Sequence, residues 1–418
     1  MSIRIYRRAR LLFMCILALA IYNLSNAQHR KVVFVIVDGI PADLIEKLST
    51  PCLDSIAKKG GYTRALAGGH TGTYTETPTI SAVGYNTILT GTWVNKHNVW
   101  DNDIAEPNYN YPSIFRLFKN QYPEKKIAIF SSWLDNRTKL IGEDLPQTGH
   151  LKMDYAFDGL ELDTLLYPHD PEKAYMDKID HDVTEHAAAC IRDTGPDLTW
   201  VYLQYTDDMG HAFGDSEPFY KSIREMDRRV GRIWQSIQYR EQQHGETWQI
   251  YITTDHGRDS ATGRDHGGQS PREKLAWIVT NARNLNGHFK SGNATQADIM
   301  PSIAGFLSIH IPIDKRRELD GLPLTGDIAI ANPSVRRIND KVYVSWRAHK
   351  KKGRVKILLA ATNHVRSGGT DEYRVVKTVK IKRKKAAFRL TSAGITDFKL
   401  ALETKENIIN CQGTAQEK

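Results

Sequence analysis

The sequence predicts an α/β sandwich built on a mostly parallel central sheet, followed by a small C-terminal β-sandwich. Three observations carry that expectation: short apolar runs that end in polar residues, amphipathic stretches between them, and a change of pattern near Pro333. The runs are KVVFVIVDG (31–39), KKIAIFSSW (125–133), LTWVYLQYTDD (198–208), WQIYITTDHG (248–257) and LAWIVT (275–280). A strand covered on both faces has no polar side to show, so parallel strands flanked by helices read as continuous apolar segments. SIFRLFKNQY (113–122) and FYKSIREMDRRVGRIWQSI (219–237) repeat apolar residues every three or four positions and are predicted helices. TETPTISAVGYNTILTGTW (75–93) is a third, with Pro78 suited to its first turn. Beyond Pro333 the runs KVYVSWRA, VKILLAAT, EYRVVKTVKI, AAFRLT and DFKLALET alternate with Gly-, Asn-, Ser- or Lys-rich turns, the pattern of a sandwich of about 85 residues.

Composition narrows the class. A 418-residue chain that is 40% hydrophobic has material for one large core and a smaller one. Residues 1–27 read as a secretory signal: four arginines (Arg4, Arg7, Arg8, Arg10), the apolar stretch Leu11–Ile21, and Ser25-Asn26-Ala27 before the expected cleavage point. The expected division is therefore 1–27 signal, 28–330 catalytic body and 331–418 basic sandwich. No later run approaches the 18 or so apolar residues of a membrane span, so the mature chain is expected without one, in a periplasmic or secreted location. Cys52, Cys190 and Cys411 remain after cleavage, too few for a disulfide framework and enough for one bridge at most.

Charge is unevenly placed. Residues 331–418 carry 21 Lys and Arg against 7 Asp and Glu, which leaves 32 against 41 for residues 28–330. An acidic body speaks against polyanion binding by the catalytic part, and no specific nucleic-acid partner is expected. The Lys-rich runs HKKKGR and KIKRKK suit either solvated turns or docking to an acidic glycan or envelope surface.

Metal-ligand residue types follow the apolar runs. Asp38 ends the first. DDMGH places Asp207 and His211 four apart, the spacing that brings both to one face of a helical turn. Asp255 and His256 end another run, and His266 follows ten residues later in GRDHGG. Each has a bland reading as a turn or surface residue. Gathered at one sheet edge, where α/β folds bind ligands, the carboxylates would repel one another unless a cation held them. Mixed Asp and His sets suit zinc first and manganese second, and two such ions clamp the oxygens of a phosphoryl group. A Ser or Thr at a helix start beside a metal is then a candidate nucleophile.

VIVDG, TILTG, NKHNVWDN, the DxxGH element and the TDHG element with its later His occur in that order over residues 31–270. In this the chain resembles the alkaline phosphatase superfamily and, within it, the type I phosphodiesterase and nucleotide pyrophosphatase family. The resemblance implies an alkaline-phosphatase-like sandwich and two divalent ions. It places one ion on Asp38, Ser81, Asp255 and His256 and the other on Asp207, His211 and His266. It puts the nucleophile nine residues before the Thr of Thr90-Gly91, at Ser81, with Thr79 as the fallback, and implies a small phosphate-ester or nucleotide substrate. Candidate substrate contacts are Asn86, Asn102, Tyr74, Trp100 and Arg258.

Three departures bear on activity. Nucleotide pyrophosphatases use Thr with an Asn three residues on, whereas this chain has Ser81 and Gly84, so a phosphomonoesterase is the alternative to a phosphodiesterase. The interval from His256 to His266 is short, and the basic sandwich is an addition. Sulfatases of the same superfamily need Pro two and Arg four residues after the nucleophile, where Val83 and Tyr85 stand here. A glycan-binding or adhesion protein with a relict catalytic domain is the non-enzyme alternative, disfavoured by competent residues at all seven metal-ligand positions.

Overall fold

The computed structural model describes residues 29–390 and 396–413, so the predicted signal lies outside the described residues. An eight-stranded sheet runs through the body: β1 (Arg30–Val37), β2 (Gly61–Leu66), β3 (Ile127–Ser131), β4 (Tyr155–Phe157), β5 (Leu198–Leu203), β6 (Thr247–Thr253), β7 (Leu275–Thr280) and β8 (Ala294–Thr295). Their order across the sheet is β4-β3-β5-β1-β6-β7-β2-β8. All neighbours are parallel except β7, which is antiparallel to both β6 and β2. All five predicted runs of the body are strands. The predicted helices appear as Ile114–Gln121 and Glu217–His244.

The physical reason for the continuous apolar runs is visible in β1. Val32, Phe34 and Ile36 enter one core with the helices Ser81–Thr90, Ile114–Gln121 and Ile299–Phe306. Val33, Val35 and Val37 enter another beneath the helices Ala174–Asp193 and Glu217–His244. Side chains alternate across a strand, so two buried faces require apolar residues at both parities.

The C-terminal part forms two antiparallel sheets. One orders β13 (Lys385–Arg389), β10 (Lys341–Ala348) and β9 (Ile330–Ile338); the other orders β12 (Arg374–Lys380), β11 (Arg354–Ala360), β14 (Phe398–Glu403) and β15 (Ile408–Gly413). A third core lies between them, with Val342, Val344 and Trp346 from the first sheet and Val355, Ile357 and Leu400 from the second. The sequence pattern missed β9 and β15, both sheet edges. Pro333 within β9 is tolerated there because an edge strand can leave an N–H unpaired. Cys52, Cys190 and Cys411 are free thiols.

Candidate active site

Strands β5, β1 and β6 are adjacent and parallel, so the segments that follow them emerge at one edge. Asp38 follows β1, Asp255 and His256 follow β6, and the helix Tyr205–Phe213 that carries Asp207 and His211 follows β5. His266 arrives from the loop beyond His256, and Ser81 is the first residue of the helix Ser81–Thr90. Two groups of ligand-type atoms result, Asp38–Asp255–His256 and Asp207–His211–His266, each within 4.8 Å of one another.

In the first group each carboxylate has one oxygen anchored and one left over. Asp38 Oδ2 accepts from the hydroxyls of Tyr85 and of Tyr202, the latter at 2.6 Å. Asp255 Oδ1 accepts the Gly39 N–H at 3.1 Å. Asp38 Oδ1 and Asp255 Oδ2 are buried without a hydrogen-bond partner. Both lie beside His256 Nε2, at 3.4 and 3.2 Å. His256 Nδ1 donates to the Gly257 carbonyl at 2.9 Å, which in the neutral ring leaves Nε2 as a bare lone pair. Two orphaned carboxylate oxygens and an imidazole lone pair, all buried and converging, form a cation-binding donor set. Ser81 Oγ stands 3.4 Å from the same Nε2.

The second group is built alike. His266 Nδ1 donates to the Thr79 carbonyl at 2.8 Å, which turns Nε2 inward to 3.0 Å from His211 Nε2. His211 Nε2 is 3.3 Å from Asp207 Oδ2. The two groups adjoin through the rings of His256 and His266, stacked at 3.7 Å.

The electrostatics follow from burial and from these neighbours. Desolvation, then repulsion by Asp255 and Asp207, raises Asp38 well above the usual carboxylate range. Desolvation and Asp207 raise Asp255 to about 7. Burial would likewise raise Asp207, but Arg258 and His211 hold it well below its ordinary value. Burial lowers His256 and His266, while the bond to Asp207 raises His211. In the first group, carboxylates that resist ionisation stand beside an imidazole kept neutral, the arrangement in which a bound cation would be favoured.

Several sequence-predicted residues are placed differently. Arg258 is fully buried; Nε donates to the Gly39 carbonyl (2.9 Å), Nη1 to the Arg264 carbonyl (2.7 Å), and Nη2 to the Asp207 carbonyl and carboxylate. It holds Asp207 and is not placed as a substrate contact, because it has no exposed surface and four of its five N–H donors are engaged within the protein. Tyr74 turns away from the site: its ring packs on the C-terminal core and its hydroxyl donates to the Asn410 carbonyl. Asn86 lies five residues past Ser81, roughly 140° around the helix, beside Pro107 and Tyr109. Thr79 Oγ1 is engaged with the Gly268 carbonyl and the Gly267 N–H, at 2.8 and 3.0 Å, which makes this threonine a support for His266. Pro78 precedes the helix instead of opening it.

Two candidates remain in the segment that meets the start of the helix Ser81–Thr90. Asn102 accepts the Ala82 N–H at 3.0 Å in the first turn of the helix, whose N-cap Ile80 offers no acceptor of its own. Trp100 is 51% exposed two residues earlier and donates to Asn98. The supports of the first group did not stand out in the sequence. Tyr85 had a signal, standing four residues after Ser81 on the same helix. Tyr202 is hidden in an apolar run. Gln296, whose amide donates to the Thr254 and Asp255 carbonyls, had no local signal at all.

The model of the type I phosphodiesterase/nucleotide pyrophosphatase family matches residues 32–356. The chain belongs to this family. It is accordingly a phosphoryl hydrolase of the alkaline phosphatase superfamily, whose members depend on divalent metals. No curated protein matches the chain. Among solved structures it is similar to human ectonucleotide pyrophosphatase/phosphodiesterase 5, at 15% identity over 68% of this chain and 96% of that one, with a TM-score of 0.47. It is also similar to the phosphonate monoester hydrolase of Agrobacterium radiobacter, at 13% identity over 92% and 89%, TM-score 0.48. A putative sulfatase from Bacteroides thetaiotaomicron matches at 10% identity over 83% and 85%, TM-score 0.45.

Proposed function

We propose that this family member hydrolyses phosphodiesters or nucleotide pyrophosphates through a phosphoserine on Ser81, with two divalent ions held by the two ligand groups. The observation that carries the reading is the pair of orphaned buried oxygens, Asp38 Oδ1 and Asp255 Oδ2, converging on His256 Nε2 beside Ser81. Asp38, Ser81, Asp255 and His256 would hold one ion and Asp207, His211 and His266 the other, zinc suiting these sets first and manganese second. Bound there, such ions supply charge neutralisation for the phosphoryl oxygens and a lowered pKa for the serine hydroxyl.

The chain's own residues do the rest. Ser81 Oγ gives up its hydroxyl proton to solvent and attacks phosphorus in line, its bond forming as the bond to the leaving oxygen breaks, and the leaving oxygen takes up a proton from solvent, so that the exchange balances. Water then cleaves the Oγ–P bond, returning the serine and releasing the phosphorylated product. The start of the helix Ser81–Thr90 would meet the developing negative charge with the N–H groups that Asn102 does not occupy. Asn102 holds that turn through its amide oxygen, and its amide nitrogen would take the role of the Asn absent at position 84. Trp100 offers a face for a base or another planar leaving group. A phosphomonoester is the second reading, favoured by Ser81 and by Gly84. The proposal includes a secreted or periplasmic location, resting on residues 1–27, and a division into a catalytic body (28–330) and a basic accessory sandwich (331–418). No described helix is long and apolar enough to cross a membrane.

The test compares p-nitrophenyl phosphate with the p-nitrophenyl ester of thymidine 5′-monophosphate, with zinc and then with chelator. A chelator-sensitive preference for the diester supports the reading, and preference for the monoester replaces it with the second one. Ser81→Ala should lose at least a thousandfold in rate while metal analysis still finds bound ions. Near-normal turnover by that variant would remove Ser81 from the mechanism.

A further inference from the structure

The helix Tyr205–Phe213 carries Asp207 and His211, and its start is held from elsewhere in the chain. Strand β5 ends at Leu203, opposite Val37 of β1, and Gln204 and Tyr205 follow outside the ladder. The side chain of Gln204, the N-cap, makes no capping bond. A helix start so placed has N–H donors to satisfy.

Asp180 satisfies them. It stands on the helix Ala174–Asp193 and is 2% exposed. Its Oδ1 accepts the Gln204 N–H at 3.0 Å and the Ser132 hydroxyl at 2.6 Å, and its Oδ2 accepts the Tyr205 N–H at 3.0 Å. Ser132 follows β3, and its own N–H donates to the Tyr202 carbonyl at 3.3 Å. One carboxylate therefore joins a helix, the end of β3 and the start of the ligand-bearing helix. A carboxylate suits this place because it offers two accepting oxygens and a charge favoured at the positive end of a helix dipole. Arg229 Nη1 lies 3.9 Å from Oδ2 and makes no hydrogen bond, so Asp180 is engaged chiefly with Ser132 and the helix start.

The two ligand groups depend on β5 differently. Tyr202, which supports Asp38, lies within the strand and is held by pairing with Ile36 of β1 and Ser131 of β3. Asp207 and His211 lie beyond the end of the strand. Their helix is placed by Asp180 at its first residue, by the Thr206 hydroxyl on the Asp38 carbonyl (2.6 Å) and by Arg258 on Asp207.

We propose that Asp180 is a positioning residue for the second ligand group, fixing the start of the helix Tyr205–Phe213 and through it the spacing of Asp207 and His211 from His266. The inference rests on the two-ion reading. The same device occurs away from the site and supplies a control. Asp227 is 1% exposed and accepts the N–H groups of Cys52 and Leu53, at 3.1 and 2.9 Å, in the first turn of the helix Pro51–Ala57, which carries no residue of either ligand group.

Calorimetric titration of the chelator-treated full mature chain with zinc alone tests it, at pH 8, where Asp180, raised by burial to about 6, is ionised. The parent chain should take up two ions. Asp180→Asn keeps one accepting oxygen and turns a donor toward a backbone N–H. It should weaken one ion by about tenfold or more and leave the other unchanged, and Asp180→Ala should weaken the same ion further. Asp227→Asn should bind both ions as the parent does, even where urea unfolding shows the two Asn variants equally destabilised. In a His211→Ala background, which keeps the first group intact, Asp180→Asn should not change the affinity of the remaining ion. Parent-like binding of two ions by Asp180→Asn overturns the inference, as does equal weakening in Asp227→Asn, which would make the effect one of general stability. Weakening of the remaining ion in the His211→Ala background also overturns it, by placing the support on the first group. A parent chain that binds fewer than two ions overturns the two-ion reading and this inference with it, an outcome told apart by the parent titration alone.

Discussion

At position 84 a side chain has nowhere to go. A Cβ there would lie 2.9 Å from both the Cβ and the carbonyl oxygen of Asp255, so the helix carrying Ser81 can approach the ligand-bearing turn only through glycine. The missing phosphate-gripping Asn is thus a packing consequence as well as a loss. Gly84→Asn should cost roughly 1–3 kcal/mol through overpacking and, by displacing Asp255, lower hydrolysis at least tenfold. Thermal unfolding and a rate measurement check this, and a stable variant of full activity would contradict it. Gly39 has a similar role at φ +68°, where a Cβ would also run into Arg258 and Asp207. His97, which the sequence could only place beside a motif, is fully buried. Its Nδ1 accepts the Val99 N–H at 3.2 Å and its Nε2 donates to the Thr87 hydroxyl at 3.1 Å. Burial pushes its pKa down to about 3. Between pH 3 and about 6.5 the unfolded chain therefore binds a proton that the folded chain does not. The stabilisation is full above about pH 6.5 and fades as pH falls, by on the order of a few kcal/mol. Urea unfolding at a series of pH values should show that His97→Gln flattens this acid limb; an unchanged slope would assign it to other groups.

At the scale of elements, the helix Ser81–Thr90 is held at both ends by distant chain. Its start is met by Asn102, and beyond its end the Gly91 carbonyl receives the N–H groups of Asp320 and Gly321, at 2.9 and 3.1 Å. Lys96 ties the following turn to the same segment and to the C-terminal sandwich. It is 2% exposed and donates to Asp320 (2.6 Å), the Glu318 carbonyl (2.7 Å) and Asn410 on β15 (3.0 Å). Lys96→Met leaves Asp320 a buried carboxylate without its cation and should cost about 3–5 kcal/mol. Adding Asp320→Asn, which removes the charge and keeps an acceptor for the Trp93 N–H, should recover part of that in the same urea measurement. A single variant as stable as the parent would show that the ion pair is not coupled to the fold.

At the scale of the molecule, the basic sandwich is fused to the body and not hung from a linker. Leu322, Ala329 and Ile330 belong to the third core, and Asn407 bonds the Ala329 N–H and the Ile330 carbonyl, at 2.9 and 2.8 Å. Lys399 on β14 pairs with Glu318 at 2.7 Å and with Asp371. A chain ending at residue 330 should therefore unfold far below the temperature of the full mature chain, and without a single cooperative transition. Calorimetry of the two decides it, and an unchanged transition would make the body independent.

The sheet-forming runs were legible in the sequence, because a strand buried on both faces is apolar at both parities, and so were the six Asp and His residues of the two groups as ligand types, because few side chains can hold a cation. Asp207 and His211 were legible as a pair because four residues close one helical turn. Contacts between segments far apart in the chain were legible only in the folded molecule. Tyr202 and Tyr85 converge on Asp38 from a strand and a helix, Arg258 is spent on Asp207, and Tyr74 is turned into the sandwich. No local pattern encodes such meetings. They depend on which strand ends lie side by side, and that is a property of sheet order, set by the packing of the whole chain.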